Sequence, residues 1–255
     1  MDVHQIKIDR TKLAAMPETE RVLLLLLGHA SNELNVLTKL ILMIRKDEPP
    51  SPIIDHVEAG QTFIFMRLLI GKLHEAWELF KARVQSDRAI STTFLPRLPP
   101  DAANALTALN KHFGPGSALT TIRNKLSFHY TDKGNLTEAN FQQLAAGEPL
   151  QFYLTDRVGN CFYHAGELAA QLTAINLMKT KMPPTGPQDT NSAEARALNA
   201  LCTEIIQVKG DMTELFSELI ALLGQDVVGS VSTESIPDGP KLSAFTLPYF
   251  VDFEA

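Results

Sequence analysis

The chain is short of cysteine, tryptophan and aromatic residues in general, and it has no long apolar run. Cys161 and Cys202 are the only cysteines. They lie far apart and match no metal-ligand spacing, which excludes a disulfide-built scaffold and suits a reducing compartment. The longest apolar run, Val22 to Leu27, falls far short of the roughly 20 residues a membrane-spanning helix needs. Met1 to Met16 carries Lys7, Asp9, Arg10 and Lys12 with no apolar h-region, so no secretory signal is expected. The expectation is a cytoplasmic protein with no membrane partner. An excess of basic residues is missing too. Lys and Arg number 23 against 29 Asp and Glu, a formal charge of -6, which excludes a globally basic nucleic-acid coat while leaving room for a local patch. There is no Gly-rich phosphate loop, no Gly-x-Ser-x-Gly elbow and no His-Glu-x-x-His, so no cofactor or metal is expected.

What is present favours packed helices. A hydrophobic fraction of 45% with 20% charged residues is ordinary for a globular protein, and Leu and Ala, both good helix formers, supply most of the apolar mass. The spacing of apolar residues predicts a long helix over Thr19–Arg45, stopped by Asp47-Glu48-Pro49-Pro50, with Val22 to Leu27 apolar on every side and so deeply buried. A second long helix is predicted from about Ile54 to Val84, with a stripe of Phe63, Met66, Leu69, Ile70, Leu73, Trp77 and Phe80. Gly60 and Gly71 count against its continuity. Asp101 is read as the cap of a short helix through Phe113, and Ser117 as the cap of a helix over Ala118–Tyr130. Asp132 to Asn135 reads as a turn, Thr137–Ala146 as a helix, and Gln151–Thr155 with Cys161–His164 as a small β-hairpin. Helices follow at Ala165–Met178 and Ala193–Leu223, separated by a linker from Pro183 to Thr190. The fold class is mainly α: one antiparallel multi-helix bundle over residues 17–223, then a Ser/Gly/Pro-rich tail over 224–255. The aromatics Phe245, Tyr249, Phe250 and Phe253 suit docking of that tail on a core or a partner.

Chemistry concentrates in Thr121-Ile122-Arg123-Asn124-Lys125-Leu126-Ser127-Phe128-His129-Tyr130. The loose pattern Arg-x(4-6)-His also occurs at Arg67 to His74 and Arg157 to His164 and is nearly uninformative. With Asn directly after Arg it occurs only at Arg123, against a chance expectation of roughly 0.03. No acidic residue stands between Asp101 and Asp132, where Lys111, Arg123 and Lys125 make a local positive island with His112 and His129 able to add to it. Phosphate suits such an island. On an ideal helix, Arg123 and His129 lie roughly 120° apart, so spacing alone does not bring them together. His74-Glu75-Ala76-Trp77-Glu78 reads as a solvated helix face, and Cys161 as a buried structural cysteine.

This segment resembles the signature of the HEPN superfamily: an arginine, a polar residue and, after four to six residues, a histidine. The resemblance covers Thr19 to Tyr130 at most, a HEPN-like core of about 19–131 followed by a helical extension over 137–223. It implies a homodimer whose motif helices face each other, with Arg123, Asn124 and His129 as catalytic residues and Lys111 and Lys125 against RNA. It also implies a metal-independent endoribonuclease of toxin–antitoxin or other defence systems, with an antitoxin or nucleotidyltransferase partner. RNA carries its own nucleophile, the 2′-OH. A histidine can take and return the proton while an arginine fork holds the phosphate. Asn32, Glu33 and Asn35 of the first helix are candidates for a second polar shell. Two other readings stay open: a non-catalytic HEPN-like module that binds nucleotide or RNA, and a structural helical interaction protein.

Overall fold

The structure is a computed structural model that describes residues 1–44, 51–127, 142–144, 150–157, 159–182, 192–241, 244–245 and 247–251. It is mostly helical, with a small two-stranded antiparallel sheet. In chain order, β1 (Asp2–Ile8) leads to α1 (Arg10–Ala15), α2 (Glu18–Ile44) and α3 (Pro52–Phe80). Next come α4 (Arg88–Phe94), α5 (Pro100–His112) and α6 (Ala118–Ile122), then α7 (His164–Lys179), α8 (Ala193–Gly224) and β2 (Val228–Ser235). No helix among the described residues is long and apolar enough to cross a membrane.

Local chemistry accounts for most boundaries. The Ser51 hydroxyl accepts from the Ile54 amide and Pro52 opens α3, a position where the missing amide costs nothing. Ser117 accepts from the Thr120 amide and Ser192 from the Ala195 amide, so both serines cap as their residue type favours. Asp101 is not a cap: Pro99 holds that position without a side-chain bond, and Asp101 sits in the first turn of α5, where a carboxylate suits the positive end of the helix. Asp9 and Asp87 do cap, accepting from Thr11 and Lys12 at the start of α1 and from Ala89 and Ile90 at the start of α4.

α2 and α3 run antiparallel. Glu33 meets Lys72, while Leu26 and Leu79 line the same cleft nearer the other end of the pair. α5 lies antiparallel along α8, with His112 beside Glu204 at one end and Arg97, just before α5, bonded to Gln225 at the other. The whole predicted stripe of α3, from Phe63 to Phe80, is buried in the core formed with α2, α6, α7 and α8. The first half of α2 is not buried all round, as its composition suggested. Leu23 and Leu27 are in the core, but Leu25 points to solvent and is 59% exposed, because no described element packs on that side of the helix.

Gly60 does not interrupt α3. A Cβ there would stand 2.3 Å from the Phe162 ring, so the glycine is the slot into which a buried phenylalanine fits. The expected hairpin around Phe162 shrinks to one bridge, in which Tyr153 and Phe162 exchange backbone bonds of 2.8 and 2.7 Å, and His164 begins α7 instead of ending a strand. The chain after Gly224 forms β2 against β1, a pairing that leaves nearly all of both strands exposed. Farther on, Tyr249 donates to the Cys161 carbonyl and the Asn160 side chain bonds the Val251 backbone twice. The Leu247 amide bonds to Met43, while Phe245 stays exposed. Gln142 to Leu144 is helical; the rest of the segments predicted over 132–146 and 183–190, with Phe253, lies outside the described residues.

Two glycines give opposite tests of this packing. Gly28, inside α2, has no atom within 4 Å of an added Cβ, so Gly28→Ala is expected to stabilise by about 0.5–1 kcal/mol. Gly60→Ala is expected to destabilise by about 1–3 kcal/mol despite its better helix propensity, because the Phe162 ring has to move. Denaturant midpoints of both variants check the pair.

Candidate functional site

The segment bearing Arg123 changes its helical bonding partway along. α6 gives way at Arg123 to a π turn, Arg123–Ser127, whose wider bonding is often found at functional sites. Arg123 and Asn124 are brought together: the guanidinium Nη1 donates to Asn124 Oδ1 at 3.0 Å. Its Nη2 forms an ion pair with Glu75 of α3, and its buried Nε has no partner among the described residues. Asn124 is exposed and Lys125 half-buried, while Lys111 is exposed in the last turn of α5. His129 lies outside the described residues.

Acids from other helices approach the positive island of the linear chain. Glu75 answers Arg123, and Glu204 stands 3.6 Å from His112. Nor is the run from His74 to Glu78 merely a solvated face. Glu75 and Glu78 are exposed, but His74 is half-buried with its ring edge-on to Phe113, 5.9 Å between centroids. Burial pushes the His74 imidazole below its ordinary range, and Arg123 pushes the same way, against the pull of Glu78 and Glu75. Of the three polar residues singled out on α2, Asn32 and Asn35 face solvent. Glu33 bonds to Lys72 at 2.6 Å and lines a cleft of about 110 Å³ that also includes His29 and Glu75. No group of three His, Cys, Asp or Glu able to hold a metal ion occurs among the described residues.

Arg67, discounted as a chance match, touches the motif turn. Its Nη1 donates to the Leu126 carbonyl at 3.1 Å and its Nη2 to Glu167 Oε2 at 2.7 Å, with the guanidinium lying over the Phe63 ring. Burial pushes Glu167 up, while Arg67 pulls it down. Nothing in the spacing of Arg67 and Leu126, 59 residues apart, could have found this contact. The other chance match, Arg157 to His164, leads elsewhere. His164 stacks on His56 with centroids 4.7 Å apart and planes 6° from parallel. Tyr153 donates to Gln151 and accepts from His56 Nδ1. Burial and the neighbouring His56 both lower the His164 pKa. Cys161 is half-buried rather than buried and is held by Thr155.

No family model matches the chain, and no curated protein or solved structure proves similar to it.

The two lowered histidines set a pH dependence. An imidazole whose pKa falls on folding binds fewer protons in the folded than in the unfolded chain. Its contribution is therefore complete above the ordinary value of 6.5 and declines as pH drops below it toward the lowered folded values. Glu167, whose pKa rises on folding, acts in the opposite sense, from the ordinary carboxylate value of 4.5 upward. The denaturant midpoint is expected to fall from about pH 7.5 to 5.5, and to fall less in a His74→Asn, His164→Asn double variant. An equal decline in both proteins would contradict this assignment.

Proposed function

We propose that the chain is a metal-independent endoribonuclease of HEPN type, with Arg123, Asn124 and His129 as its catalytic residues. The observation that carries the reading is the direct bond between Arg123 and Asn124 on a π turn at the protein surface. That bond leaves an arginine fork and an amide beside each other, the two groups needed to grip a phosphodiester. In the reaction, Arg123 holds the scissile phosphate and stabilises the charge that develops on its oxygens. Asn124 orients the phosphate or the histidine. His129 takes the 2′-OH proton and returns a proton to the leaving 5′-oxygen, a role that suits an imidazole with a pKa near neutrality. Lys111 and Lys125 contact the RNA backbone. As the resemblance implies, two copies of the chain pair their sites, and the setting is defence or toxin–antitoxin control with an antitoxin or nucleotidyltransferase partner.

One observation favours a second reading, a module that binds phosphate without cleaving it. Glu75 occupies the guanidinium edge that a phosphate would take, so a nucleic acid has to displace a carboxylate before it is gripped. This exchange has a measurable consequence. Glu75→Gln is expected to bind RNA about two- to five-fold more tightly, the scale set by a partly exposed ion pair of about 0.5–1 kcal/mol. Unchanged or weaker binding would remove Glu75 as a competitor.

Cleavage itself separates the readings. His129→Ala is expected to lose about 10²–10⁴-fold in rate with RNA affinity kept, whereas Arg123→Ala loses both. Cleavage should survive EDTA and leave 2′,3′-cyclic phosphate ends, as attack by the RNA's own hydroxyl requires. Arg157→Ala should cleave normally. RNA binding with no strand scission at any pH would leave the binding module as the function.

A further inference from the structure

The Arg123–Asn124 pair works only if its turn holds one orientation, and polar contacts with α3 help to hold it. One is the ion pair of Arg123 with Glu75. Another is the bond from Arg67 to the Leu126 carbonyl, three residues beyond Arg123. Arg67 spans two acceptors with one rigid fork, the Leu126 carbonyl at 3.1 Å and Glu167 Oε2 at 2.7 Å. The Arg67 and Glu167 side chains keep only 17% and 21% of their exposure, and the guanidinium carbon stands 5.5 Å from the Phe63 ring centroid. A lysine could satisfy either acceptor but not hold both in one plane, because its ammonium is a single point on a flexible stem.

Glu167 fixes the fork in turn. It sits in the first turn of α7, where the positive helix end suits a carboxylate, and burial leaves little water to compete for it. The start of α7 is itself anchored. His164 stacks on His56, and Phe162 fills the slot at Gly60 of α3. A continuous set of contacts therefore runs from the beginning of α7 through Glu167 and Arg67 to the turn bearing Arg123 and Asn124.

We propose that Arg67 and Glu167 are a positioning pair for the Arg123–Asn124 site: Glu167 orients the Arg67 fork, and Arg67 holds the turn through the Leu126 carbonyl. Neither residue touches RNA. The inference rests on the proposed phosphodiester site and adds two residues that act on it from behind. Each has a distinct signature. Losing a positioning contact lowers kcat, because misplacement by about 1 Å costs up to about 10²-fold, while leaving substrate affinity almost unchanged.

The experiment measures kcat, KM and backbone hydrogen exchange of the full chain in wild type, Arg67→Ala, Arg67→Lys, Glu167→Ala and the Arg67→Ala, Glu167→Ala double variant. Single alanine variants are expected to lose about 10- to 100-fold in kcat with KM within about two-fold. Arg67→Lys should recover only part of that loss. The double variant should be no slower than Arg67→Ala, since residues acting as one unit do not add. Amides of Arg123–Ser127 should exchange faster in Arg67→Ala while those of α8 do not change. If Arg67→Ala fails to fold, Arg67→Lys keeps charge and stem and decides by the same readouts. Unchanged exchange over Arg123–Ser127 in a folded variant would overturn the proposal, as would additive losses or a loss confined to KM. If the wild type cleaves no RNA but Arg67→Ala still shows the exchange effect, the nuclease reading fails and the positioning pair stands.

Discussion

Burial of one stripe on α3 is the constraint on which the rest of the structure depends. Once Phe63, Leu69, Leu73, Trp77 and Phe80 face the core, a helix with about 100° per residue has no freedom left in where its other side chains point. His56, Arg67, His74 and Glu75 are then aimed by the core, not by their own chemistry. His56 goes to His164, Arg67 to Leu126 and Glu167, and Glu75 to Arg123. The polar groups of the candidate site are in this sense a by-product of hydrophobic packing, which is a good way to hold polar groups still. Rigid elements position side chains better than loops do.

How charge is balanced follows from the same geometry. Along the chain, the stretch around Arg123 is purely basic, and read linearly it is an anion site waiting for a ligand. In three dimensions, the Glu75 carboxylate on α3 pairs with Arg123, and Glu204 on α8 stands beside His112. A phosphate at the proposed site would have to displace Glu75 from Arg123 instead of filling an empty cradle. Its arginine is already oriented by Glu75 and Asn124.

Most helices were legible because their signals are local. Ser117 and the apolar stripe of α3 act within a turn or two, and the structure follows them. Where local signals misled, a distant residue was the cause. Gly60 reads as a weak point until Phe162 is seen to need the space, and Leu25 reads as core until the side facing it is seen to be solvent. The β1–β2 ribbon was invisible. Both faces are exposed, so no alternation of apolar and polar residues marks the strands, and Ile6 finds Val231 across most of the chain. Within the candidate site, the adjacency of Arg123 and Asn124 could be read directly. The contacts of Arg67 with Leu126 and of Arg123 with Glu75 could not, since side-chain geometry across 59 and 48 residues is set only by the fold.

The central claim is that Arg123 and Asn124 receive a phosphodiester at the place Glu75 now occupies. The most direct measurement is a crystal structure of the full chain with a short RNA made uncleavable by 2′-deoxy substitution at one nucleotide. A phosphate is expected bonded to the Arg123 guanidinium and the Asn124 amide, with the Glu75 carboxylate swung away. RNA bound elsewhere on the surface, with the Arg123–Glu75 pair intact, would contradict it.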